Sequence, residues 1–193
     1  MKVRPFWFHL CRLISLTFFK IFHGIRTRGA DSIPEGPIIL APNHASYLDP
    51  PAVGCSLRRV TYYLARHTLF APPVGSWLLP SIGSIPVNQQ SPGPSSLKNI
   101  FEVLKNKGTL VLFPEGGRTL DGNLAKAEPG IGLIAARANV PVFPFTSLEA
   151  GKPCLGTEVG IRFAQSGWPM AHRCIFPETR KIGKIFKNLL MRS

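Results

Sequence analysis

The chain has 193 residues, a hydrophobic content of 45% and a charged content of only 17%, which excludes an intrinsically disordered protein and allows one domain with a real core. A net charge of +13 with a pI near 10.2 points to an anionic partner: nucleic acid, a membrane surface or a phosphorylated substrate. The four cysteines (Cys11, Cys55, Cys154, Cys174) include no Cys-x-x-Cys pair, so neither a disulfide framework nor a zinc site is legible and a reducing compartment fits best.

Residues 1–23 open the chain with Phe6-Trp7-Phe8 and stay apolar to Phe22, interrupted by His9, Arg12 and Lys20. The longest uncharged run there, Leu13 to Phe19, is far shorter than the roughly 20 residues a spanning helix needs. No small-residue cleavage site follows, so no signal peptide is read. Two placements suit such a segment: an interfacial amphipathic helix with basic residues at the headgroups, or a helix packed onto the domain's own core. The basic set Lys2, Arg4, Arg12, Lys20, Arg26 and Arg28 favours an anionic membrane surface, each charge adding on the order of 1 kcal/mol.

Ile25 to Gly29 reads as a first short strand, and residues 31–37 carry turn chemistry. Ile38 to Ala41 is a short buried strand ended by Pro42. The loop Asn43 to Asp49, NHASYLD, follows, and Pro50-Pro51 starts a helix over 49–56 with Asp49 as its N-cap. Strands follow at 60–65 and 84–87, with a hairpin or short helix at 72–81 between them. Leu97, Ile100, Phe101 and Leu104 give helical spacing over 95–107, stopped by Gly108. The strand TLVLF, 109–113, leads into Pro114-Glu115-Gly116-Gly117-Arg118-Thr119. A helix is expected over 129–138, then a last apolar strand over 140–145 whose prolines suit a sheet edge. Beyond it, Glu158 to Phe163 reads as one more strand and Gly183 to Met191 as a short basic helix. Residues 1–23, 24–150 and 151–193 thus divide as helix, main domain and basic tail, the tail holding eight Lys or Arg against two acidic residues.

Alternating strands and helices predict an α/β fold with a mixed, partly parallel sheet flanked by helices. Ligands of such sheets gather beyond the carboxyl ends of the strands. The polar segments 43–49, 66–67, 88–90 and 115–119 all follow strands and converge on one edge. There, Asp49 can accept a hydrogen bond from one imidazole nitrogen of His44 and leave the other as a base. The glycines at 116 and 117 let backbone approach a ligand, and Arg118 offers a planar fork for a phosphate. Glu115 can bind a ligand hydroxyl or hold Arg118. A capped surface loop and a glycine turn with a surface ion pair are the plainer readings of the same segments. No P-loop, nucleophile-elbow or zinc-protease pattern is present.

The order N-H-x-x-x-x-D (43–49), G-x-I-P-V (83–87), F-P-E-G-x-R (113–118) and V-P-V-x-P (140–144) resembles the glycerolipid acyltransferase family over roughly residues 36–146. Arg66 to Phe70 and Gly75-Ser76-Trp77 resemble the stretch between that family's first two motifs. The resemblance implies a glycerol-3-phosphate acyltransferase-like fold. It implies acyl transfer from acyl-CoA or acyl carrier protein to a lysophospholipid acceptor such as 1-acyl-glycerol-3-phosphate, giving phosphatidic acid, with no further cofactor and no metal. His44 would be the general base and Asp49 its orienting partner. Glu115, Gly116 and Arg118, with Gly117, would bind the acceptor. The protein would sit on the cytoplasmic face of the membrane, peripheral or monotopic.

Three positions depart from the pattern: Gln89 stands where an acceptor-binding Arg is usual, Gly117 where Thr is common, and Glu128 where a Lys often follows. Either Arg66 and Lys126 compensate, or the acceptor is less anionic. Glycerol 3-phosphate and a lyso-ornithine-type lipid are the other acceptors to weigh. Ser46 and Cys55 are the candidate nucleophiles of a covalent route. The competing class is a basic peripheral lipid-binding protein without chemistry. Nucleic acid is not expected, because the basic residues are scattered and no recognition motif is present.

Overall fold

The computed structural model describes residues 3–28, 30, 33–88, 93–118, 127–146 and 160–163. Seven strands form one sheet: β1 (Arg26–Arg28), β2 (Ile38–Pro42), β3 (Thr61–Arg66), β4 (Ser84–Val87), β5 (Thr109–Val111), β6 (Val142–Thr146) and β7 (Gly160–Phe163). Their spatial order is β1-β7-β6-β2-β5-β3-β4, and every pair is parallel except β6 with β7. The expected mixed, partly parallel sheet is therefore present, with β2 and β5 in its interior.

Period-two alternation decides which helix each strand residue meets. Ile39, Leu110 and Leu112 pack with Ile100, Val103 and Leu104 of α4 (Pro94–Lys105) and with Ile131 and Ile134 of α5 (Gly130–Ala138). Ile38, Leu40 and Val111 face the other way, against Val53 of α2 (Asp49–Ser56) and Leu57 behind it. Both faces are covered, which is why these strands read as unbroken apolar runs rather than alternating ones.

The helix α1 (Pro5–His23) lies outside α2. Phe19 joins Ile25, Ala52 and Cys55 in a third buried cluster, and the Arg12 Nε donates to the Leu57 carbonyl at 2.6 Å. The opposite face of α1 is apolar and exposed, with Phe6, Leu13, Ile14, Ile21 and Phe22 all more than half accessible. The helix therefore packs on the domain, as the second placement expects, and leaves a further apolar face uncovered. Segment 72–81 resolves as a helix, α3 (Pro73–Ser81), whose Trp77 meets Trp7 edge-to-face at 4.8 Å. Among the described residues no helix is long and apolar enough to cross a membrane.

Two expectations are corrected. The strand at 142–146 is interior, not an edge, lying between β2 and β7. Its prolines are tolerated because the Pro141 carbonyl accepts from the Ile39 N–H (3.0 Å), so Pro144 lies on the side turned away from β2, where β7 pairs only with Phe145 and Thr146. The helix over 94–105 ends before Gly108, and Lys107 takes the left-handed turn (φ 59°). Gly108 is needed for close approach instead: a Cβ there would lie 2.7 Å from Val103 Cγ1. The basic helix read at 183–191 lies outside the described residues.

Ile39→Ala, at a fully buried site on β2, is expected to cost about 2–5 kcal/mol in urea unfolding. Leu133→Ala, on the exposed face of α5, is expected to change stability by no more than about 0.5 kcal/mol.

Candidate active site

The carboxyl ends of β2 and β5, neighbours in the sheet, deliver the two loops that the sequence singled out. Leaving β2, the chain turns at Asn43 and places His44 with its side chain 17% exposed, beside an Asp49 side chain that is 1% exposed. The His44 Nδ1 lies 3.0 Å from Asp49 Oδ2. The same oxygen accepts the Ala45 N–H at 2.8 Å and the Ser46 N–H at 2.7 Å. A carboxylate so bonded makes Nδ1 the donor, and Nε2 becomes the basic nitrogen.

Asp49 is not an N-cap. It is the first helical residue, and its carboxylate turns backward onto the loop. The reason lies in Pro50 and Pro51, which have no N–H for a cap to hold; the first available helix amide, Ala52, donates to the Leu48 carbonyl at 3.0 Å. Pinning a loop and a histidine, rather than a helix end, is what the buried charge does here.

Phe113, just past β5, stacks on the His44 ring with centroids 4.1 Å apart and planes 25° apart. Together with the Asp49 bond, this sets the imidazole plane. Glu115 reaches back to the same loop: the His44 backbone N–H donates to Glu115 Oε2 at 3.4 Å. The other oxygen, Oε1, is buried with no hydrogen-bond partner among the described residues. Burial pushes the Glu115 carboxyl above its usual range; the His44 amide and ring pull it back and Asp49 adds to the rise.

Gly116 is left-handed (φ 65°), a conformation that favours glycine, and a Cβ there would lie 3.0 Å from Glu128 Cγ, so a larger residue would also have to displace that side chain. A Cβ on Gly117 would meet nothing within 4 Å, leaving that backbone open to a ligand. Glu128 is tied to the loop by its N–H on the Pro114 carbonyl at 2.7 Å. Arg118 does not pair with Glu115 among the described residues. Its guanidinium carbon lies 3.5 Å from the centroid of the Tyr47 ring.

The structure thus brings His44, Asp49, Glu115, Gly116, Gly117 and Arg118 to one edge. Arg66 ends β3 on that edge and is exposed, but no described hydrogen bond or ion pair joins it to the two loops. Lys126 and Gln89 lie outside the described residues. Ser46 Oγ accepts the Leu48 N–H at 3.1 Å. Cys55 is buried behind α1, donates to the Ala52 carbonyl, and is pushed up to about 11 by burial. Phe113 and Tyr47 were not named as site residues from the sequence, although each is the aromatic of its own motif. Among the described residues no group of three or more His, Cys, Asp or Glu could hold a metal ion.

Comparison with known proteins gives one consistent result. A family model described as Acyltransferase matches residues 24–147. The chain is 28% identical over 153 residues to a chloroplastic 1-acyl-sn-glycerol-3-phosphate acyltransferase of Arabidopsis thaliana, covering 77% of this chain and 43% of that protein. It is 29% identical over 148 residues to the 1-acyl-sn-glycerol-3-phosphate acyltransferase of Streptococcus pneumoniae, covering 74% and 54%. It is 30% identical over 137 residues to a lyso-ornithine lipid O-acyltransferase of Pseudomonas aeruginosa, covering 70% and 48%. The chain spans about half the length of the curated relatives it matches. Its fold matches the crystal structure of the 1-acyl-sn-glycerophosphate acyltransferase PlsC of Thermotoga maritima with a TM-score of 0.61 at 21% identity, over 94% of this chain and 78% of that one.

A raised carboxyl favours the folded state while protonated, so its contribution is present below the ordinary value of 4.5 and is lost as pH rises through the raised one. The melting temperature of Glu115→Gln relative to wild type is therefore expected to rise as pH increases from below 4.5 and then level off. A difference flat across pH 3–8, a range wide enough to bracket ordinary carboxyl titration, would count against a desolvated Glu115.

Proposed function

The chain belongs to the acyltransferase family, and on that premise we propose that it transfers a fatty acyl group from an acyl thioester, acyl-CoA or acyl carrier protein, to the hydroxyl of 1-acyl-glycerol-3-phosphate. The observation that carries the reading is the His44–Asp49 pair, held at the end of β2 directly beside the Glu115–Arg118 loop. A base and an anion-binding loop a few ångströms apart are what an acceptor with a hydroxyl near a phosphate requires.

In this reading the acceptor phosphate is held by Arg118 and by open backbone at Gly117. The acceptor hydroxyl faces Nε2 of His44, which takes its proton as the oxygen attacks the thioester carbonyl. The tetrahedral centre collapses, the C–S bond breaks, and the thiolate leaves and takes up a proton. Asp49 keeps the imidazole in the tautomer the step needs and offsets the charge that forms on it. The unpartnered Glu115 Oε1 is placed to accept a hydrogen bond from an acceptor hydroxyl. The buried Cys55 thiol, pushed up to about 11, argues against an acyl-enzyme at that residue.

The substrates reach the site from a lipid surface. The exposed face of α1, with Val74 and Trp77 of α3 beside it, supplies apolar area, and Lys20 and the other basic residues supply attraction to anionic headgroups. A second acceptor class has one observation in its favour. The Glu128 stem packs against Gly116, bringing a negative charge to the loop that would hold the phosphate. A less anionic acceptor, such as the lyso-ornithine lipid in the name of one relative, would suit that charge.

Purified protein with labelled acyl donor and a panel of lyso-lipid acceptors is expected to form phosphatidic acid, and His44→Ala to lose about 10²–10⁴-fold in kcat. Product made only from a neutral or zwitterionic lyso-lipid would move the reading to the second acceptor class. Lipid binding without turnover in either protein would leave a binding module. Replacing both Leu13 and Ile21 by Glu is expected to weaken sedimentation with phosphatidylglycerol vesicles without lowering the melting temperature. Sedimentation equal to wild type would rule out α1 as the docking face.

A further inference from the structure

Tyr47 is 77% exposed, an uneconomical place for a large aromatic ring unless its face is used. Its loop is rigid. The Ser46 N–H bonds Asp49, the Leu48 N–H bonds Ser46 Oγ, and the Asp49 N–H bonds the Ser46 carbonyl. The ring is therefore carried on the same hydrogen-bonded loop as His44. Arg118 arrives from the other loop and lies over that ring at 3.5 Å, a separation that puts the guanidinium on the ring face. Among the described residues no carboxylate pairs with Arg118. A guanidinium held over an aromatic ring in this way satisfies no N–H donor through the contact, so its donors stay available for a bidentate phosphate contact.

We propose that Tyr47 is a positioning residue for the acceptor phosphate: its ring face holds Arg118, so that the phosphate is gripped at a set distance from His44. The proposal rests on the reading of Arg118 as the phosphate ligand given above. The contact is the direct link between the loop that carries the base and the side chain that carries the grip. An Arg118 without this platform would sample many rotamers, and the acceptor would have to order it on binding. The loss should fall on acceptor affinity and leave the chemical step alone.

The test uses the full chain, a saturating acyl donor and hexanoyl-lysophosphatidic acid below its micellar range, so that membrane docking does not enter. Tyr47→Leu is expected to raise the acceptor KM by about 2–5-fold, the range an exposed cation–π contact supports, with kcat within about twofold. Tyr47→Phe, which keeps the ring, is expected to retain the wild-type KM. The Tyr47→Leu/Arg118→Ala double variant is expected to be no worse than Arg118→Ala alone, because the platform has nothing left to hold. An unchanged KM in Tyr47→Leu, an equal defect in Tyr47→Phe, or fully additive losses in the double variant would each overturn the platform role. Failure of the underlying reading looks different: Arg118→Ala itself would then leave the acceptor KM unmoved.

Discussion

The site depends on one buried carboxylate oxygen. Asp49 Oδ2 takes the His44 imidazole and two successive loop amides, all between 2.7 and 3.0 Å. Burying a carboxylate is costly unless its lone pairs are satisfied, and here one oxygen is met by three donors. The exchange works in both directions. The charge is made tolerable by the loop, and the loop acquires a single conformation from the charge. Removing the carboxylate would release the ring orientation, the Ala45–Ser46 turn and the placement of Tyr47 together.

The sheet supplies the second constraint. Parallel strands put all their carboxyl ends on one side, so β2 and β5, once paired Ile38 to Thr109, must release their loops next to each other. Leu112 continues the pairing one step further, its N–H on the Leu40 carbonyl at 2.9 Å. Phe113 and His44 then follow at adjacent levels and stack. The geometry of the site is thus an outcome of apolar burial: Ile38, Ile39, Leu40, Leu110 and Val111, all almost wholly inaccessible, lock the register that brings His44 and Glu115 together. Glu115 adds a desolvated acid to the cluster, its Oε1 buried and without a hydrogen-bond partner among the described residues.

The N-terminal helix connects this chemistry to its surroundings. The helix carries more apolar surface than one face can bury. Phe8, Leu16 and Phe19 settle one face against the domain, and the Arg12–Leu57 contact locks it there. The other face remains, next to Val74 and Trp77. The orientation of that surface is consequently fixed relative to the sheet, so a membrane meeting it would meet the domain in one pose.

What the sequence by itself determined was local. Apolar runs bounded by Pro and Gly located the interior strands, β2 and β5 above all, because a doubly covered strand has no polar face to disguise it; β1, Arg26-Thr27-Arg28 at the sheet edge, has no such run. The Asn43–Asp49 and Glu115–Arg118 segments were recognisable because their residue types are dictated by chemistry and backbone conformation: an acid beside an imidazole, a glycine at positive φ. The tertiary structure decided what depends on direction and partners. Pro141 and Pro144 suggested an edge, yet β6 is interior, since only the ladder reveals which neighbour a missing N–H faces. Asp49 suggested a cap, yet it turns backward, since the prolines that signal a helix start also withhold the amides a cap would hold. The Phe113 stack and the Arg118–Tyr47 contact join residues far apart in the chain. No local pattern encodes such a meeting; the register of β2 against β5 does.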